Sequence, residues 1–303
     1  MRGIRIGSRG SMLAMAQSDW VKRRLMDRYP EVHVEMTIIK TSGDRFVDTP
    51  VATIGGKGAF TREIEDALLR RDIDIAVHSM KDLPTELPAG LIIAAVPERE
   101  DARDVLVSRD ARGLSMLPAG TRVATGSLRR RAQLMHYRSD LGVVAIRGNV
   151  DTRLRKLDDG QADALIMAAA GLKRIGREGR ITDYLPDAVC VSAVAQGALG
   201  IETLDDGSMR ELLAFLDDAD THAEISAERA LLARLGGGCH VPIGARARVA
   251  GDALQMIAVV ASPDGKSLSR AMTAGKASEG RELGRQLAEQ LLKSGADKIL
   301  APA

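Results

Sequence analysis

Ile4-Arg5-Ile6-Gly7-Ser8-Arg9-Gly10-Ser11, with the residues that follow as far as Ile39, decides the fold of this chain. Ile4 and Ile6 alternate around Arg5, the period of a strand, and Gly7 to Ser11 turn. Met12 to Tyr29 carries a helical pattern that Pro30 closes. Val32, Val34, Met36, Ile38 and Ile39 form a second strand. Strand, helix, strand in that order predicts a mostly parallel α/β sheet.

The pattern continues outward from there. Residues 41–59 are polar and Gly-rich and read as a long lid-like loop. Phe60 to Arg71 reads as a helix with Thr61 as its cap. Ile73 to Val77 reads as a strand ending at His78-Ser79-Met80-Lys81-Asp82, and Leu91 to Val96 as a buried strand. The charged run from Pro97 to Asp104 reads as a hinge. A second α/β unit begins near Val105, with strands at 122–124, 143–146 and 164–167 and helices at 128–137, from after Asn149 to Leu157, and at 168–175. Several of these strands end in small or polar residues where a helix starts, and ligands bind at such ends in open α/β sheets. After Val241 the pattern changes to three antiparallel strands and an amphipathic helix, which reads as a small α+β domain.

Composition narrows the function. The chain has 303 residues, with 43 basic and 41 acidic side chains and 2% aromatics. Near balance of charge and scarce aromatic rings argue against a nucleic-acid partner. No apolar run approaches a membrane span, and Met1 to Ile6 reads as a strand with no signal-peptide pattern. A cytoplasmic protein is expected. Two cysteines, Cys190 and Cys239, make no disulfide framework, and no metal-ligand spacing is present.

Five constellations can carry chemistry. Thr125-Gly126-Ser127-Leu128-Arg129-Arg130 joins a strand to a helix start, where backbone N–H groups favour anions; its alternative is a solvated basic face. Arg147-Gly148-Asn149-Val150-Asp151-Thr152-Arg153 repeats the arrangement at the next strand end. Arg9 and Lys173-Arg174 follow other strands, and arginine clamps carboxylates with a bidentate fork. His78 to Asp82 brings three ionisable groups to a strand end; its alternative is a surface Lys81–Asp82 element with His78 satisfied in the core. Gly236-Gly237-Gly238-Cys239-His240 places a thiol on a loop that permits close approach; its alternative is a buried small residue. Ile54-Gly55-Gly56-Lys57-Gly58 fails the phosphate-loop pattern, because Gly58 follows Lys57.

These motifs resemble, nearly end to end, those of the hydroxymethylbilane synthase (porphobilinogen deaminase) family. The likeness runs through Gly7-Ser8-Arg9 with Gln17, Gly55 to Gly58, Ala76 to Pro84, Gly126 to Arg130, Arg147 to Leu154, Ala169 to Arg174, Gln196-Gly197 and Gly237-Gly238-Cys239. It implies an α/β fold of two lobes like type II periplasmic binding proteins, with the active cleft between them, plus a small C-terminal α+β domain. The implied boundaries are 1–98 with about 198–216 for the first lobe, 104–192 for the second and 219–303 for the third.

The resemblance further implies a transferase that joins porphobilinogen molecules head to tail and releases ammonia at each addition. The growing polypyrrole chain starts on a dipyrromethane cofactor held by a thioether to Cys239 and leaves as linear hydroxymethylbilane. Asp82 is the implied catalytic carboxylate. Lys81, Asp82, Thr125, Ser127, Arg129, Arg130, Arg147 and Gly148 are implied cofactor contacts. Arg9, Ser11, Gln17, Lys57, Ser79, Arg147, Arg153, Arg174 and Gln196 are implied substrate contacts, Gln196 with a hinge role as its alternative. No metal is implied, and a monomer is expected. His240 stands where glutamine is common in the family, and a protonated imidazole there would lower the Cys239 thiol pKa. The competing reading is a non-catalytic anion receptor on the same fold, which leaves Cys239 and Asp82 without a task.

Overall fold

The computed structural model describes residues 3–45, 58, 60–236 and 241–300. The chain divides into two compact units, Met1–Arg99 with Ala198–Asp218, and Glu100–Gly197 with Ala219–Ala303.

The first unit opens with β1 (Ile4–Ser8), α1 (Met12–Arg28) and β2 (Val34–Ile38). Then come the short α2 (Ser42–Arg45), α3 (Arg62–Leu69), β3 (Ile75–Ser79) and β4 (Leu91–Ala95). Its five-stranded sheet has the order β2-β1-β3-β10-β4, where β10 (Leu199–Leu204) comes from the far side of the second unit. α7 (Arg210–Leu213) completes the returning segment. β1 runs parallel to β2 and β3, whereas β10 runs antiparallel to both β3 and β4. The expected mostly parallel sheet is thus mixed: the returning chain meets β3 head-on. Period-two alternation sorts the strand residues between two apolar layers. Ile75, Val77, Leu199 and Ile201 pack with Val21 and Leu25 of α1, whereas Ala76 packs with Ile64, Ala67 and Leu68 of α3.

The second unit repeats the plan. It contains β5 (Asp104–Ser108), β6 (Arg122–Ala124), α4 (Leu128–Tyr137), β7 (Gly142–Val144) and α5 (Val150–Asp158). β8 (Ala164–Ala168), α6 (Ala169–Arg174) and the two-residue β9 (Asp183–Tyr184) follow. The sheet order β7-β6-β8-β5-β9 matches that of the first unit strand for strand, with β5 as its antiparallel member. β5 is buried along its whole length. The charged run read as a hinge therefore ends one residue earlier, because Asp104 is the first residue of this core strand.

The remainder of the unit is α8 (Ala219–Arg234), an antiparallel sheet β11 (Ile243–Ala250), β12 (Ala253–Ala261) and β13 (Leu268–Lys276), then α9 (Gly280–Leu291) and α10 (Asp297–Leu300). α8 and α9 cross closely: a Cβ on Gly284 would collide with the Ala227 carbonyl. Among the described residues no helix is long and apolar enough to cross a membrane.

Candidate active site

In the first unit the polar groups gather where β1 and β3 end. Ser11 caps α1, its Oγ accepting the Ala14 N–H at 3.3 Å. The cap uses the Ser11 oxygen as an acceptor and leaves its O–H as a donor. The Arg9 guanidinium lies over the Phe60 ring, 4.3 Å from its centroid. Gln17, 3% exposed on α1, donates from Nε2 to Ser79 Oγ at 2.8 Å. These two expected contacts are brought together and tie the helix to the end of β3.

A single 3-10 turn, Met80–Asp82, follows β3 directly. The Met80 N–H donates to the Ala198 carbonyl at 3.0 Å, and the Leu83 N–H closes back onto the Met80 carbonyl at 3.3 Å. The turn buries Met80, half-buries Lys81 and exposes Asp82. Asp82 has no hydrogen bond or ion pair among the described residues, so its carboxylate is offered to solvent from an anchored turn.

The second unit gathers its groups at the ends of β6 and β7. Ser127 caps α4 by accepting the Arg130 N–H at 3.4 Å, and Thr125 Oγ1 accepts the Ser127 N–H at 3.2 Å. Arg129 and Arg130 are each 5% exposed. Both turn inward to Asp104, which is wholly buried. Arg129 Nη1 donates to Oδ2 at 2.6 Å and Arg130 Nε to Oδ1 at 2.9 Å. Arg129 Nη1 also reaches the Val191 carbonyl at 2.6 Å.

Gln196, 1% exposed, completes the node. It donates to Asp104 Oδ1 at 2.9 Å and to the Ala102 carbonyl at 2.8 Å, and it accepts from Arg130 Nη2 at 3.2 Å. Arg129, Arg130 and Gln196, all expected as ligand contacts, are brought together on Asp104. Taking charges out of water requires a partner, and Asp104 is that partner. Burial by itself would raise the Asp104 pKa, but Arg129 and Arg130 outweigh it and hold the carboxyl far below the usual range.

Arg147 is half-buried, and its guanidinium has no hydrogen bond or ion pair among the described residues. Gly148 has φ +112°, a conformation that favours glycine, and its carbonyl accepts Arg153 Nε at 2.7 Å. A Cβ on Gly126 would stand 2.8 Å from the Ile146 carbonyl, so the two strand ends can meet this closely only with glycine there. A half-buried guanidinium without a counter-charge, beside glycine turns and a helix start, suits a ligand rich in carboxylates. Arg174, lowered to about 10 by burial against the nearby charge of Glu100, donates from Nη2 to the Gly197 carbonyl at 2.6 Å.

Lys57, Cys239 and His240 lie outside the described residues. The other cysteine, Cys190, is 3% exposed and donates to Asp104 Oδ2 at 3.3 Å. Burial first, then the Asp104 charge, push its thiol up to about 12, which disfavours the reactive thiolate. The sequence reading missed Asp104 as the centre of the arginine node. Its one signal was the position of Asp104 as the last residue of the charged run, directly before the apolar run Val105-Leu106-Val107. It also missed Glu202, which holds His78 at 2.9 Å.

Arginines at strand ends and helix starts of one α/β sheet suit a ligand that carries carboxylates, and the other sheet ends in an exposed carboxylate on an anchored turn. A family model described as "Porphobilinogen deaminase, dipyromethane cofactor binding domain" matches residues 4–211, and one described as "Porphobilinogen deaminase, C-terminal domain" matches residues 222–293. The chain is 52% identical over 300 residues to a porphobilinogen deaminase of Syntrophobacter fumaroxidans, covering 99% of this chain and 97% of that protein. It is 53% identical over 301 residues to one of Desulforudis audaxviator, covering 99% and 97%. Among solved structures, the methionine binding protein MetQ superposes with a TM-score of 0.45 at 14% identity, covering 70% of this chain and 87% of that one.

The chain belongs to the porphobilinogen deaminase family. It is a transferase with the function of a hydroxymethylbilane synthase, and its 4–211 domain is the one that binds the dipyrromethane cofactor.

Proposed function

We propose that the chain condenses four porphobilinogen molecules head to tail on a dipyrromethane primer held as a thioether by Cys239. Each addition releases ammonia, and water releases linear hydroxymethylbilane. The observation that carries the site assignment is the Met80–Asp82 turn, which anchors Met80 in the core and leaves Asp82 exposed at the end of β3. When bound, the cofactor supplies the pyrrole end to which the first substrate unit is joined.

Asp82 accepts pyrrole N–H groups and balances the positive charge that develops as ammonia leaves. A fixed carboxylate does this without reorganising at the moment of reaction. Arg147 and Arg153 hold acetate and propionate groups of the bound pyrroles, helped by Arg9, Lys57 and Lys81. The α4 start contributes its cap through Thr125 and Ser127, and Gly148 lets the chain approach the ligand closely. Ser79 and Gln17 steady the end of β3. Arg174 acts through the Gly197 carbonyl it holds. Asp104, Arg129, Arg130 and Gln196 keep the α4 start in place.

The proposal includes three domains, 1–98 with about 198–216, 104–192 and 219–303, in a cytoplasmic monomer. Light scattering that gives twice the chain mass would remove the monomer. Recovery with the membrane or secreted fraction would remove the cytoplasmic assignment.

Intact mass under denaturing conditions tests the tether. The purified protein should carry the mass of two linked pyrroles, and Cys239→Ala should lack it. Asp82→Asn should keep that mass while turnover falls by about 10²-fold or more. Absence of added mass even after incubation with porphobilinogen would overturn the tether, and normal turnover of Asp82→Asn would remove Asp82 from the chemistry.

A further inference from the structure

β10 has no tight turn to fix its pairing. The chain leaves the first unit after Arg99 and re-enters it at Ala198, so β10 arrives from a distant part of the sequence. A slip of one residue would exchange the faces of all its side chains. Leu199 and Ile201 belong to the apolar layer under α1. Gly200 and Glu202, of opposite parity, occupy the face covered by α3.

Two features on that face match β10 to β3. Gly200 stands opposite His78 and leaves a notch for Met80; a Cβ there would collide with Met80 Sδ. Glu202 Oε2 lies 2.9 Å from His78 Nε2, a diagonal contact across the ladder, with both residues buried. Pairing with β4 shifts register between Ile201 and Glu202, and such bulges re-aim a side chain. Glu65 of α3, 6% exposed, has its pKa raised first by burial and further by the Glu202 charge. Glu65 Oε1 and Glu202 Oε1 have no hydrogen-bond partner among the described residues. So costly a buried polar group is a poor source of stability, because desolvation offsets its attraction, and its best-attested use is to fix a register.

We propose that His78 and Glu202 are positioning residues for the reaction: they pin the register of β10 against β3 and thereby place the Ser79–Asp82 turn. The turn depends on β10 at successive points. Ser79 pairs with Leu199, the Met80 N–H donates to the Ala198 carbonyl at 3.0 Å, and the Met80 side chain fills the Gly200 notch. A slipped β10 removes all of these supports together, and Asp82 lies two residues beyond them. This inference rests on the role given to Asp82 above.

Three variants of the cofactor-loaded enzyme test it. Glu202→Leu should lower kcat by between about tenfold and 10²-fold, the cost of a small misplacement of a reacting group, with KM little changed and the cofactor mass retained. Amide hydrogen exchange in 199–204 and 79–83 should quicken in the same variant. Glu202→Gln keeps an acceptor for His78 and should restore both readouts towards wild type. Glu202→Asp keeps charge and polarity but is one methylene short, and it should show the kcat loss even where Glu202→Leu does not fold. Wild-type kcat in Glu202→Asp, or a Glu202→Gln as impaired as Glu202→Leu, overturns the pin. Asp82→Asn is run beside them: if it turns over normally, the Asp82 reading fails, whereas exchange in 199–204 still reports on the register.

Discussion

Asp104→Asn should destabilise the second unit strongly while leaving its shape intact. The wild-type carboxylate is wholly buried and serves four neighbours. Oδ2 takes Arg129 Nη1 at 2.6 Å and the Cys190 thiol at 3.3 Å, and Oδ1 takes Arg130 Nε and Gln196 Nε2, each at 2.9 Å. An amide retains one acceptor and turns a donor towards groups that are themselves donors. Two buried guanidinium groups then lose their only close counter-charge among the described residues. Removing one partner of a buried pair costs about 3–5 kcal/mol, and the paired loss puts this variant near the upper figure. That is a large share of a total stability of about 5–15 kcal/mol. With a urea slope of about 2–3 kcal/mol per molar, the midpoint should fall by about 2 M.

The measurement is urea unfolding of both proteins with the cofactor bound, followed at neutral pH and on acidification. Asp104 has a folded-state pKa below its unfolded value of about 3.9. Its contribution is therefore complete above that value and lost as pH falls through the folded one. Wild type should lose stability on acidification below about pH 4, and Asp104→Asn should lack that component. A shift worth less than about 1 kcal/mol, the scale of an exposed pair, would show that Arg129 and Arg130 do not depend on Asp104.

Glu65→Gln works in the opposite sense. Its folded pKa is raised, so the native protein is favoured by acid and loses stability as pH rises from about 4.3 through the folded value; the variant should lose that slope in the same titration and be no less stable at neutral pH. Cys190 should resist alkylation in the native enzyme at pH 8, since its thiol is pushed up to about 12, and react once urea unfolds the chain; peptide mass mapping reads both. Gly197→Ala combines a φ of +90° with a Cβ that would collide with the Glu100 carbonyl, and its urea midpoint should fall by the equivalent of at least about 1–3 kcal/mol.

Local periodicity was sufficient for most elements. α4 spans Leu128–Tyr137 and β12 spans Ala253–Ala261, as their patterns indicate, because a helix or strand repeat is visible within ten residues. The sequence pattern did not show that Leu199–Leu204 belongs beside Ile75–Ser79, since a strand carries no mark of its partner; the family resemblance supplied that return. The arginine clusters show the same division. Composition placed Arg129, Arg130, Arg147 and Arg153 at strand ends, where an anion is handled. Spacing could not separate the pair that faces inward from the pair that does not.

Sequence by itself determined the α/β class, the small C-terminal domain, the family and the Asp82 strand end, because these rest on short-range repeats and on motifs of adjacent residues. Tertiary structure alone decided that Asp104 holds Arg129, Arg130 and Gln196, that Cys190 is buried against Asp104, and that Glu202 meets His78. In each case the cause is burial against a partner tens of residues away or more, and desolvation changes what a charged side chain can do only once the fold has removed its water.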